Sequence, residues 1–224
     1  MFALGSNTSG AAIGSVVNPA TYSTAVSPGM LVAVFGTNLA SAASTASGSP
    51  LPYSLGGVSA AVNGIAAPLA YVSPTQVNLQ IPYEVGAGPA VLGIDNNGQI
   101  AGFQFQVSAS APGIFADANG SLSPTPAVPR AGTTTLLMVG AGEVSNLIRT
   151  AYSPSSAATY KPLLPLSVTV GGVPVFLETV GLAPLQFGVT QVKFTLPPSV
   201  PAGVQPVVVT VGGVSSPPVN VTVQ

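Results

Sequence analysis

The chain has 224 residues, of which four are Lys or Arg, five are Asp or Glu, and none is His or Cys, for a net charge of −1. A charged share of 4%, against a usual ~25%, leaves no basic footprint for nucleic acid or anionic lipid. The missing His and Cys exclude a disulfide framework, a thiolate zinc site and any His-based triad, while 47% hydrophobic residues are enough for one or two cores.

The first 83 residues carry no charge at all. Residues 1–17 lack the basic segment and unbroken apolar core of a signal peptide. Residues 1–15 precede the first recognisable strand and are read as an N-terminal arm. Its apolar residues Phe2, Leu4 and Ile13 are the candidates for strand addition to a neighbouring copy. The opposing reading is a frayed terminus, the default for the first residues of a domain.

Residues 30–35, "MLVAVF", form an apolar run between Gly29 and Gly36 and predict a strand. Residues 40–50, "ASAASTASGSP", are a surface loop by composition. Asn63-Gly64 lies between "AAV" and "IAA" and predicts a tight hairpin, because both central positions of such a turn need positive φ. "QVNLQIPYEV" follows at 76–85, alternating Val77, Leu79 and Ile81 with polar residues, and Asn97-Gly98 marks a second hairpin.

The same sentence is then written again. Leu136 to Val139 lies between Gly132 and Gly140, Gly171-Gly172 answers Asn63-Gly64, "QVKFTLPPSV" at 191–200 answers residues 76–85, and Gly212-Gly213 answers Asn97-Gly98. The offset grows from 108 (171 − 63) to 115 (191 − 76), which places an insertion near residues 181–187, "GLAPLQF". Two halves of about 100 residues, each with short strands and frequent turn signals, predict an all-β chain of two tandem immunoglobulin-like sandwiches related by duplication. The expected boundaries are an arm at 1–15, a first sandwich at 16–110, a Pro-rich connection with a short internal strand at 111–130, and a second sandwich at 131–224. Residues 146–165 form the second half's counterpart of the 40–50 loop.

Residues 27–40 ("SPGMLVAVFGTNLA"), 51–85, 111–115 ("APGIF") and 164–219 together resemble the Solibacter-type C-terminal domain of secreted acidobacterial proteins. The "PG…V…FGTNL" opening is also similar to IPT/TIG domains, immunoglobulin-like modules of surface and extracellular proteins. The resemblance implies export and a pair of β-sandwiches, and supplies no catalytic or binding residues. Residues 1–10 have no counterpart in it.

No chemistry-bearing constellation emerges. Lys161 and Lys193 read as solvated charges, and the five acids Glu84, Asp95, Asp117, Glu143 and Glu178 follow no hydrolase spacing. "DNNG" (95–98) and "DANGS" (117–121) offer oxygen ligands but lack the distant Glu of a calcium loop, so they read as turns. No cofactor motif and no metal site is expected. Tyr71 and Tyr83 bracket the Gln-Val strand and, with Gln76 and Asn78, are the candidate ligand surface. The leading expectation is a non-catalytic, secreted or cell-surface structural protein whose main partner is other copies of itself, in a layer or filament. The alternative is a polysaccharide-binding adhesion module. Neither nucleic acid nor membrane insertion is expected.

Overall fold

Val, Leu and Ile at every second position, broken by turns that need positive φ, force this chain into short paired strands with one apolar face. The computed structural model describes residues 10–146, 148–156 and 160–224. The first half contributes β1 (Ala12–Val17), β2 (Leu31–Thr37), β3 (Ser44–Thr45), β4 (Ser54–Leu55), β5 (Val58–Val62), β6 (Ile65–Ala67), β7 (Leu69–Val72), β8 (Gln76–Gln80), β9 (Gly88–Asn96) and β10 (Gln99–Val107). One sheet has the order β1-β2-β8-β7-β3 and the other β10-β9-β5-β4, with β6 beside β5.

The second half contributes β11 (Gly113–Ile114), β12 (Ala127–Val128), β13 (Thr133–Val139), β14 (Leu166–Val170), β15 (Val173–Pro174), β16 (Phe176–Leu182), β17 (Val189–Thr195), β18 (Gly203–Val211), β19 (Val214–Ser215) and β20 (Val219–Val223). Its sheets run β11-β13-β17-β16 and β12-β20-β18-β14-β15, with β19 beside β18. In the first half β1-β2-β8-β7 faces β10-β9-β5, and in the second β11-β13-β17-β16 faces β20-β18-β14, the arrangement of a constant-type immunoglobulin sandwich. The chain is all-β and immunoglobulin-like, with the same strand order in each half.

The turns follow their local chemistry. Asn63 and Gly64 have φ of 49° and 80°, and Asn97 and Gly98 have 50° and 88°, so both hairpins close with left-handed central residues. Val77, Leu79 and Ile81 are fully buried in the first core, whereas Val192, Phe194 and Leu196 are buried in the second. Across the junction the first core also takes in Val139, Ala183 and Val189 from the second half.

Two expectations change on this fold. Ile13, assigned to a free arm, lies in β1 opposite Gly36 of the chain's own β2 and packs on the first core. A partner strand in the same chain costs no association entropy, so it wins over a neighbour. Phe2 and Leu4 lie outside the described residues. The 111–130 stretch, expected as a connection, supplies two strands to the second sandwich: β11 pairs with β13, and β12 runs parallel to β20. Ile114, Leu122 and Val128 are core residues of that sandwich.

Phe194 is the largest fully buried side chain of the second core. Its replacement by Ala should destabilise by about 3–5 kcal/mol through lost transfer energy and a residual cavity. Calorimetry of Phe194→Ala should show the loss in a transition assigned to the second sandwich; a shift within about 0.5 kcal/mol, the size of a surface change, would show that this core is not closed.

Candidate functional site

The polar face of β8 splits into two environments. Tyr71 stands opposite Asn78 across the β7–β8 ladder, so the two side chains share a face. Gln76 donates its Nε2 to Asn78 Oδ1 at 2.8 Å on that same face. These three predicted ligand residues are therefore brought together, half-buried, on the outside of the first sheet.

Gln80 continues the same face but is only 1% exposed. Its Nε2 donates to Gly29 O at 2.9 Å, and its Oε1 accepts from the backbone N–H of Ala151 at 2.8 Å. The covering segment comes from the loop before β14, expected from sequence to be a surface loop. Ala151 N–H reaches Gln80, Ala151 O accepts from Leu51 N at 2.8 Å, and Ala151 itself is fully buried at φ 80°. A non-glycine residue held there costs of order 1 kcal/mol or more, and the two hydrogen bonds from opposite sides hold it in place. Thr150 adds a second tie. Its hydroxyl donates to Glu84 Oε2 at 2.8 Å and accepts from Tyr83 N at 3.1 Å.

Tyr83, the fourth predicted ligand residue, belongs to this junction and not to the Tyr71 face. It opens a single 3-10 turn, Tyr83–Val85, and its ring fills the space left by the missing side chain of Gly29. Burial, and then the neighbouring Glu84 charge, push its hydroxyl pKa up, so the phenol stays protonated. Beside it opens a cleft of about 490 Å³ lined by Tyr83, Glu84, Glu143, Ile148, Arg149 and Leu163. Three of the nine charged residues (four basic plus five acidic) thus meet at one cleft between the sandwiches. Arg149 also lies 5.5 Å from the centroid of the Tyr152 ring. Carboxylates, a guanidinium and a phenol on apolar walls can hydrogen-bond a hydroxyl-rich ligand. Thr150 and Arg149 escaped sequence reasoning because their loop shows only composition; the unbroken polar alternation Gln76, Asn78, Gln80 was the one available signal.

The acidic turns bond internally. Asp95 Oδ1 accepts from Gly98 N, and Asp117 Oδ1 accepts from Asn119 N and Ser121 N. No group of three or more His, Cys, Asp or Glu that could hold a metal occurs among the described residues. A separate polar cluster lies on the outside of the second sandwich. Glu178 pairs with Lys193 at 2.8 Å and accepts from Thr133 and Thr195. Those bonds, the one from Lys193 foremost, hold the Glu178 carboxyl down at about 2.

No protein-family model matches the chain, and no curated protein matches it. Among solved structures it is similar to the plexin A4 extracellular region, at 12% identity and TM-score 0.31, covering 100% of this chain and 17% of that one. A titin immunoglobulin tandem matches at 10% identity and TM-score 0.27, covering 89% and 91% of the two chains. Invasin, described as a bacterial integrin-binding protein, matches at 16% identity and TM-score 0.27, covering 93% and 38%. The chain spans less than a fifth of the plexin region it matches. The immunoglobulin-like assignment rests on strand order, not on these likenesses. Among the described residues no helix is long and apolar enough to cross a membrane.

Replacing Gln80 by Ala should strand the buried Ala151 N–H and cost about 1–3 kcal/mol, whereas Gln76→Ala on the same face should stay within about 0.5 kcal/mol. Chemical denaturation of the two variants checks this, and equal effects would sink the role given to Gln80. Glu178 carries the pH dependence. Its folded pKa is below the ordinary 4.5, so its contribution is present above 4.5 and is lost as pH falls through about 2. The melting temperature of the native chain should therefore fall more between those pH values than that of Glu178→Gln; parallel curves would refute the linkage.

Proposed function

We propose that this chain is a non-catalytic extracellular structural module that works by associating with other copies of itself, as part of a cell-surface layer or filament. The observation that carries the reading is the surface. Nine charges cover 224 residues, and large apolar side chains such as Ile100, Phe176, Leu185 and Val204 stand in the open. Apolar exposure with almost no charge favours association and offers little repulsion between copies. The resemblance to the Solibacter-type domain and to IPT/TIG modules supports export, and the repeated strand order supports an origin by duplication.

A second reading, polysaccharide binding, is favoured by one feature: Tyr71, Gln76 and Asn78 share an accessible face. The two readings separate experimentally. Under self-association, light scattering of the native chain should give an assembly whose mass rises with concentration and barely responds to salt, because few charges are available to screen. A monomer at every concentration would overturn it. Under sugar binding, Tyr71→Ala should abolish retention on a polysaccharide column while the fold survives. We expect no polysaccharide in a broad panel to retain the chain, and Tyr71→Ala to change stability alone.

A further inference from the structure

We propose that the free edge of β10 is a self-complementary contact through which two copies join their sheets about a two-fold axis at Gly102. This inference rests on the self-association reading and names the surface that performs it. β10 is nine residues long, pairs with β9 in unbroken register, and contains no charge, no Pro and no bulge. Those are the devices that normally blunt an edge. The other long edges carry one: β1 has a register break between Ile13 and Ser15, and β16 has a break beside the charged Glu178.

The two-residue turn at Asn97-Gly98 fixes which groups point where. Gln99, Ala101, Phe103 and Phe105 bond to β9, so Ile100, Gly102 and Gln104 turn their N–H and C=O groups outward. These six groups make no hydrogen bond among the described residues. Past Gln104 the edge is taken up by the parallel bridge between Val26 and Val107. In the second sandwich the equivalent edge is closed within the chain. Ser121 makes a parallel bridge to Asn220, and Ala127 and Val128 of β12 pair in parallel with Thr222 and Val223 of β20.

A second copy fits the first edge closely. Antiparallel pairing centred on Gly102 sets Ile100 against the partner's Gln104, Gly102 against the partner's Gly102, and Gln104 against the partner's Ile100. All six free groups on each copy then find a partner. On the inner face Ala101 meets the partner's Phe103, a small residue against a large one, and the half-buried Phe103 and Phe105 lose their remaining exposure. Ile100, 76% exposed in the single chain, gains a cross-strand neighbour. No charge on either strand opposes the approach. The contact is isologous and closes on itself, so a layer or filament would combine it with a second, different contact.

Gly102 also supplies the test. A Cβ there meets nothing within 4 Å, and the chain has no cysteine of its own. In the paired register the two Gly102 Cα atoms lie about 5.5 Å apart, within disulfide reach. Gly102→Cys should therefore oxidise to a disulfide-linked dimer, whereas Val204→Cys, at a position on β18 that is also exposed, should not at the same concentration. Gly102→Lys sets two like charges face to face and should lower the particle mass measured by sedimentation, with the β-sheet circular-dichroism spectrum of the native chain retained. If the native chain is monomeric, the self-association reading fails and this contact with it. If the native chain assembles but folded Gly102→Lys assembles equally well, or Gly102→Cys does not cross-link, the reading stands and the β10 contact is wrong. Assembly lost on removing residues 1–9 but kept in Gly102→Lys would likewise overturn it in favour of that segment.

Discussion

The arrangement of the two sandwiches depends on backbone meeting backbone at their junction. Gly188 approaches Gly29 O, Met30 and Leu31 N so closely that a Cβ has no room. Contact at that range brings Val139, Ala183 and Val189 into the first core. It also lets one glutamine satisfy polar groups from both halves: Gln80 bonds Gly29 O on its own side and Ala151 N from the other. The cleft holding Glu84, Glu143 and Arg149 exists only because the halves are fixed in this way. The site and the fold share one cause.

Whatever depended on local chemistry could be read from the sequence. Asn63-Gly64, Asn97-Gly98, Gly171-Gly172 and Gly212-Gly213 all have positive φ at both positions, because a tight hairpin leaves no other option. The inward triplets of β8 and β17 followed from alternation alone. Pairings between distant segments were hidden. Nothing in "APGIF" says that Ile114 pairs with Met138, and nothing in the 146–165 loop says that Ala151 will sit buried on β8. Tyr83 shows the same limit. Its sequence distance from Tyr71 suggested one surface, but the turn after β8 carries its ring past the sheet end into the junction.

A charge-poor surface changes which forces decide behaviour in solution. The one ion pair among the described residues, Lys193 with Glu178, lies on a solvent-exposed sheet face and contributes little to stability on its own. Its position matters more than its energy. It places charge on the β16–β17 face, near the 75% exposed Phe176 and a row of threonines. On β10 of the first sandwich the polar side chains are the uncharged amides of Gln99, Gln104 and Gln106.

The difference between the two sandwiches lies in where the first strand crosses from one sheet to the other. In the second sandwich the chain leaves β13 after Phe115, and Ser121 and then Ala127 and Val128 pair with the edge of β20. In the first, β1 stays on β2 as far as Val17, and the chain then spends residues 18–25 in a loop. Asn18 holds that loop. Its side chain donates to Ala111 O and accepts from Ala20 N, while Tyr22 N and Ser23 O close the turn around its backbone. Only Val26 reaches the opposite sheet, and by then β10 has a single residue left to pair, Val107. Because Asn18 reaches across to Ala111, the late crossing is tied to the junction itself.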